Sequence, residues 1–544
     1  WNAASNRHEC NGKPGYVTPE SHEVIMQLAG VDDPAVDCLW LTAPLGKAKE
    51  RGKSLRQKCS EEAKFDIPYP SGAKVTVEIG GREVARTDIK VTDVLVAGLG
   101  DSFGSGEGNP DVPVRFSPER TANYGNGEKN PNLLGLPARA GAWKRIGDNA
   151  FNSESARWVD QACHRSLYSH QLRTALQLAV EDPHRAVTFV GLACSGAEVT
   201  FGLFLRYKGN EWVPNPPDLS QISALADAQC GNRQADQIDM PEAYHMGGII
   251  PELQGGLVLR KCPRDTARKI DLLLVSIGGN DIGFARLVAN AVLADQSIVR
   301  RLGGWFGQVH GNMQSKTLLD RLDERYKALN RAIHGILHMP WSESDRVILT
   351  AYPPLALLGD GRRVCPDGAA GMDVSSDFGL SEARAREGSN LADQLQRVMV
   401  RSARAHGWSF ATAHRSGFLG RGICAGFTDN AFSIADDLRV PRRIDGKWQP
   451  FAPTAYRAYA SRQRWFRTPN DAFLTGNFHS AGSIANKALS FESLAKFQVL
   501  LAATYSGAFH PTAEGHAAIA DAVTGRAREV LKKYSQQSSA AVTP

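Results

Sequence analysis

Residues 94–110 read VLVAGLGDSFGSGEGNP. The run Val94–Leu99 is short, apolar and closed by glycine, the pattern of a strand buried on both faces of a parallel sheet. Ser102 follows it at once. A serine where a strand turns into a loop or helix carries its hydroxyl at the carboxyl edge of the sheet, where open α/β folds keep their sites. The surrounding glycines let the chain turn tightly and let a ligand approach. A dinucleotide-phosphate loop would use similar glycines, but GxGxxG fails, because Phe103 occupies the third glycine position after Gly98 and Gly100. The bland alternative is a glycine-rich turn with an incidental serine.

Outward from this stretch, strand and helix patterns alternate. Tyr168–Asp182 has helical spacing, and Ala186–Leu192 is apolar and β-branched. Ile270–Ile277 (IDLLLVSI) reads as another buried strand. Lys316–Met339 predicts one long amphipathic helix. Arg346–Ala351 and Trp408–Ala413 predict further strands, with a helix from about Ser381 to His406 between them. Thr512–Lys533 predicts a closing helix. Such alternation implies an α/β fold with a parallel sheet covered on both faces. Upstream, Ala73–Val91 alternates apolar and polar residues around Gly80-Gly81, a hairpin pattern. The expected organisation is a β-rich N-terminal domain over 1–92, an α/β unit over 93–533 and a disordered tail over 534–544.

The whole chain has 544 residues, more than one ordinary domain. With 42% hydrophobic and 22% charged residues it is not a largely disordered chain. No apolar run approaches the ~18 residues of a membrane span. Lysine and arginine (63) exceed aspartate and glutamate (57) by only 6, too mild a balance to suggest nucleic acid. The nine cysteines form no CxxC pair, which argues against zinc or thioredoxin chemistry. They fit disulfides in an oxidising compartment. Together with a start at Trp1, they lead us to expect a secreted or periplasmic protein after removal of a signal peptide. Cys163–Cys194, Cys230–Cys262 and Cys365–Cys424 are expected pairs, each closing a loop of some 30–60 residues. Cys38–Cys59 is the expected fourth, leaving Cys10 over.

Three further segments bear on Ser102. Ala193–Ala197 (ACSGA) follows a strand and offers the Gly196 amide. Gly278–Asp281 (GGND) follows another and offers the Asn280 side chain. His510, in FHPTAEGH, precedes the last helix. A hydroxyl, two hydrogen-bond donors and an imidazole at one sheet edge are what acyl transfer requires. The imidazole takes the serine proton, and the donors hold the oxyanion of the tetrahedral intermediate. No metal or cofactor is implied.

The segments GDSFGSGEG, CSGA, GGND and FHPTAEGH resemble the four sequence blocks of the SGNH (GDSL-type) hydrolase superfamily. The likeness is strongest to its secreted bacterial lipase and esterase branch, which also shows segments like Cys163–Ser166 (CHRS) and Arg464–Phe466 (RWF). It covers roughly residues 93–530. It implies a flavodoxin-like three-layer fold, Ser102 as nucleophile and His510 as base. It also implies an oxyanion hole from the Ser102 amide, the Gly196 amide and the Asn280 side chain. Many members carry Asp three residues before the histidine; this chain has Gly507 there. Some relatives use a main-chain carbonyl instead, and Gly507 or Ala508 could supply it. Asp471 is a remote candidate acid, and Asp101 is expected to hold the turn.

The block spacings exceed a minimal core, so insertions must wall the site. One insertion, Leu438–Arg467, holds seven Arg and six aromatic residues. Rings beside cationic planes suit a sugar ring, an anionic head group or a membrane surface. The competing reading is a solvated basic face over a satellite aromatic core. His516 is expected to be a structural polar contact, and His164 to pack rather than to orient the active-site loop. The expected function is ester hydrolysis on lipid or short-chain acyl esters. The alternatives are a carbohydrate O-acetylesterase acting on polysaccharide, and a non-catalytic glycan- or lipid-binding protein on the same fold.

Overall fold

The computed structural model describes residues 15–116 apart from 32 and 47–51, and 152–231 apart from 155 and 212–215. It further describes 235–239, 257–284, 312–428 apart from 369–370 and 373–377, 456–476 and 507–540, with isolated residues between 288 and 297 and between 431 and 448. Cys10 lies outside the described residues.

The chain opens with strands β1 (Ser21–Met26), β2 (Asp37–Pro44), β3 (Ser54–Lys58), β4 (Ala63–Pro68), β5 (Ala73–Ile79) and β6 (Arg82–Ile89). β1 pairs with β4, and the others form a four-stranded sheet in the order β3-β2-β5-β6, all antiparallel. Their alternation is the cause. Trp40, Phe65, Ile67, Val75 and Val77 point into one core, and the residues between them face outward. The Gly80-Gly81 hairpin is present, both glycines at positive φ (60° and 78°), as a tight turn between strands demands. Cys38–Cys59 fastens this core.

A second sheet begins with β7 (Thr92–Gly100). After the short pair β8 (Arg115–Phe116) and β9 (Asn152–Glu154) come β10 (Arg185–Gly191), the pair β11 (Asp236–Asp239) and β12 (Val258–Lys261), then β13 (Leu272–Ser276), β14 (Val347–Thr350) and β15 (Ser409–Ala411). The main sheet has the order β10-β7-β13-β14-β15 with every pairing parallel. In chain order this is 2-1-3-4-5, the flavodoxin-like arrangement.

Strand alternation divides the core into two layers. Leu95, Ala97, Leu99, Leu273 and Leu349 pack beneath helices Gln221–Gln229, Leu322–Gly335 and Glu382–His406. Val94, Val96, Leu272, Leu274 and Ile348 pack beneath His170–Val180 and Ala513–Ala540. Each fully buried Leu or Val contributes about 1.5–3 kcal/mol, so this double-sided strand fixes where Ser102 emerges.

Two expectations need correction. The expected helix Lys316–Met339 is two, Asn312–Asp320 and Leu322–Gly335, broken at Arg321 although no Gly or Pro marks the break. The last helix runs past Lys533 to Ala540, into the segment expected as tail. All four expected cysteine pairs are bonded. Among the described residues no helix is long and apolar enough to cross a membrane.

Candidate active site

β7 ends at Gly100, and Ser102–Ser105 form a single helical turn. The Asp101 carboxylate caps this turn by accepting from the Phe103 N–H at 3.0 Å. It also accepts from the Tyr352 hydroxyl, and that hydroxyl accepts from the Gly279 N–H at 3.0 Å. Asp101 therefore holds the turn and ties it to the GGND segment. Burial pushes its carboxyl up to about 7, against the Tyr352 and Phe103 hydrogen bonds. The Gln221 side chain clamps Gly100 on both main-chain groups, at 2.8 Å each.

His510 comes back to this edge just before the last helix. Its Nε2 lies 2.7 Å from Ser102 Oγ. Its Nδ1 lies 2.9 Å from the Ala508 carbonyl, which fixes Nδ1 as the donor and leaves Nε2 to accept from the serine. Of the two carbonyls expected for this contact, Ala508 makes it; that of Gly507 accepts the His510 main-chain N–H at 3.2 Å. Burial lowers the ring's pKa below its ordinary 6.5, partly offset by the Glu107 charge and the Ala508 carbonyl.

There is no room for a side chain at position 507. Gly507 sits at φ +96°, and a Cβ there would fall 2.1 Å from Gly108 Cα and 2.3 Å from Gly108 N. Two main chains meet where the usual acid would begin. Asp471 does not replace it. It accepts from Arg464 at 2.9 Å, from the Thr468 N–H at 3.0 Å and from the Tyr456 hydroxyl at 3.0 Å. Burial alone would raise its carboxyl, but Arg464, Arg462 and Arg467 hold it well below the usual carboxylate range.

Gly196 follows Cys194, whose N–H donates to Gly100 O at 3.0 Å and whose sulfur is bonded to Cys163. The CSGA segment is thereby fastened beside the serine. Gly196 has φ +87°, and a Cβ there would stand 2.3 Å from the Tyr207 hydroxyl. Among the described residues neither the Ser102 N–H nor the Gly196 N–H has an acceptor. Asn280 opens the turn Asn280–Ile282 after β13, and its Nδ2 donates to the Ala197 carbonyl at 3.0 Å, leaving its second hydrogen. That bond joins the third block to the second. Asp281 anchors the turn through Arg325 at 2.6 Å and the Val199 N–H.

Three groups beside the site carried no weight in the sequence: Glu107, Glu211 and Arg467. His164, expected to pack, lies flat on Trp158 with ring centroids 4.4 Å apart, yet both its nitrogens meet carboxylates. Glu107 is at 2.7 Å and Glu211 at 2.8 Å. Burial opposes its charge, but the two carboxylates push His164 up to about 10. Only the CHRS motif hinted at this.

Arg467 donates to Gly108 O at 3.0 Å and Asn109 Oδ1 at 3.1 Å. Arg462, Arg464 and Arg467 are buried, so this part of 438–467 is an internal brace and not a solvated basic face. Contact with a membrane surface draws nothing from these three. Trp448 and Phe451 lie outside the residues whose side chains are described. His516 is fully buried and its ring stacks on that of His170 at 5.8 Å, with the Glu107 main chain also acting on it.

An apolar cavity opens among Phe103, Gly279, Tyr352, Leu355, Phe466 and Phe509. Phe103, Gly279 and Phe509 are the chain neighbours of Ser102, Asn280 and His510, which do not themselves line the cavity.

No family model matches the chain. Over 156 residues it is 28% identical to Lipase 1 of Streptomyces coelicolor, a match covering 28% of this chain and 47% of that protein. The chain thus spans about half the length of the curated relative it matches. Among solved structures it is similar to an extracellular lipase from Streptomyces rimosus (17% identical, 61% of this chain and 85% of that one, TM-score 0.32). It is similar also to phospholipase A1 from Streptomyces albidoflavus (18% identical, 66% and 92%, TM-score 0.29). Those structural likenesses are too low to carry activity or substrate to this chain. The main sheet has the 2-1-3-4-5 parallel order that a resemblance to the SGNH (GDSL-type) hydrolases implies, and the four sequence blocks that carry the resemblance stand in this chain in the family's order.

Proposed function

We propose that the chain is a secreted serine hydrolase of carboxylic esters. The observation that carries the reading is the 2.7 Å contact between His510 Nε2 and Ser102 Oγ, with Nδ1 already committed to the Ala508 carbonyl. In this reading Ser102 Oγ attacks the ester carbonyl as its proton passes to Nε2. The tetrahedral oxyanion is held by the Ser102 and Gly196 N–H groups and the Asn280 amide. On collapse the C–O bond to the alcohol breaks, and the imidazolium returns its proton to the leaving oxygen. Water then repeats the sequence on the acyl-serine. Each oxyanion donor is worth about 3–4 kcal/mol in the transition state.

In this reading lipid or short-chain acyl esters come ahead of acetylated polysaccharide, and the apolar cavity lined by Phe103, next in the chain to Ser102, offers a place for an acyl group. Four disulfides support an extracellular setting. Hydrolysis of a p-nitrophenyl ester series from acetate to palmitate tests the reading. We expect turnover that improves beyond acetate and disappears in Ser102→Ala. A folded protein that turns over no member supports the binding-protein reading instead.

A further inference from the structure

Glu107 lies five residues after Ser102, in the loop that passes beneath Gly507. Its Oε2 is bound by His164 at 2.7 Å, but its Oε1 is buried with no partner among the described residues. That free oxygen lies 3.2 Å from the point where a side chain at 507 would begin. It therefore stands at the entrance to the place from which the usual triad acid reaches the histidine. His164 is bound in turn by Glu211 at 2.8 Å, and Glu211 accepts from Gln161 at 2.7 Å. The Glu107, His164 and Glu211 side chains are only 1–2% exposed.

Packing alone does not account for this set. Two buried carboxylates, each with one oxygen unpartnered, are costly to desolvate, and apolar residues of the same volume would fill the space without that cost. With His164 protonated, two carboxylates face one cation, and the cluster carries one net negative charge. We propose that Glu107 is a positioning residue for His510 that supplies, through space, the negative charge the absent triad acid would otherwise place there. The proposal rests on the hydrolase reading above.

The sign follows from the surroundings. His510 becomes a cation when it takes the Ser102 proton, and a nearby anion stabilises that state. Burial lowers the ring's pKa, while the Glu107 charge opposes this and His164 adds to it. From the other elements packed here, Arg467 presents a second cation, turned to Gly108 and Asn109. His170 is pushed down to about 3 by burial, and His516 is lowered well below its ordinary value, so both are neutral at working pH. Asp101 is engaged with Tyr352 and Phe103. Glu107 is thus the carboxylate whose charge favours the imidazolium, and its free oxygen, unlike that of Glu211, is the one that lies beside position 507.

Glu107→Gln keeps shape and removes charge. We expect it to fold, to be labelled at Ser102 by a fluorophosphonate, and to lose roughly 3–10-fold in kcat. The acid limb of its kcat/KM profile should move to lower pH. Glu107→Asp, which keeps the charge, should return the limb toward the wild type. A residue that only packs would change stability and leave the limb in place, and an unmoved limb in folded Glu107→Gln overturns the proposal. Should that variant not fold, Glu211→Gln also removes the net negative charge and must move the limb the same way; an unmoved limb there is equally fatal. If the wild type is not labelled at Ser102, the hydrolase reading itself has failed, whatever the Glu107 variants do.

Discussion

Restoring an aspartate at position 507 is the substitution that family likeness recommends and the structure forbids. Gly507→Asp would put the carboxylate three residues before His510, where many SGNH hydrolases carry it. A Cβ at 507 would lie 2.1 Å from Gly108 Cα and 2.3 Å from Gly108 N, and both atoms are main chain, so no side-chain rotation relieves the clash. Holding a non-glycine residue at φ +96° adds about 1–2 kcal/mol. Separating the two main chains adds about 1–3 kcal/mol. The total of about 2–5 kcal/mol is a large share of a typical folding stability of about 5–15 kcal/mol. The new carboxylate would also face the free Glu107 oxygen. We expect the urea unfolding midpoint to fall and p-nitrophenyl ester hydrolysis to fall with it. Gly507→Ala should lose most of the same stability, because the clash is at Cβ. A Gly507→Asp protein as stable as the wild type and more active would refute the steric argument and restore the missing-acid view.

Two further outcomes follow from the same geometry. Cys163–Cys194 closes a separation of 31 residues, which constrains the unfolded chain by about 3.7 kcal/mol. The bond lies two residues before Gly196, so its removal by paired alanine substitution should lower kcat as well as the unfolding midpoint; an unchanged kcat would separate the bond from the proposed oxyanion donor. In the proposed mechanism His510 is a base only when neutral, so the wild type should be active above the ring's pKa and lose activity as pH falls through it. Burial lowers that pKa, so the acid limb of kcat/KM should lie below about 6.5, and a limb above that value would point to a strong unrecognised anion at the ring.

What the sequence revealed was local, and what it hid was long-range. Val94–Leu99 announced a buried strand because parallel strands covered on both faces are continuously apolar, and Ser102 was readable because it follows that strand directly. The family resemblance implied a main-chain carbonyl at Gly507 or Ala508, and only the fold shows that Ala508 makes the contact. Three other features were illegible for a common reason. Glu107 and Glu211 look like ordinary surface carboxylates until the fold sets them on either side of His164. Arg464 and Arg467 could be read as part of a binding surface or of a solvated basic face, because nothing local says that Asp471, Gly108 and Asn109 will enclose them. The break at Arg321 carries no Gly, Pro or cap, so a periodic pattern ran through it.

The most direct measurement is covalent. A biotinylated fluorophosphonate reacts only with a serine whose oxygen is activated by a base and whose developing charge is met by donors. Peptide mapping after reaction should show one adduct, on Ser102, which vanishes in Ser102→Ala and is strongly slowed in His510→Ala. Labelling at another residue, or undiminished ester hydrolysis in folded Ser102→Ala, would contradict the account.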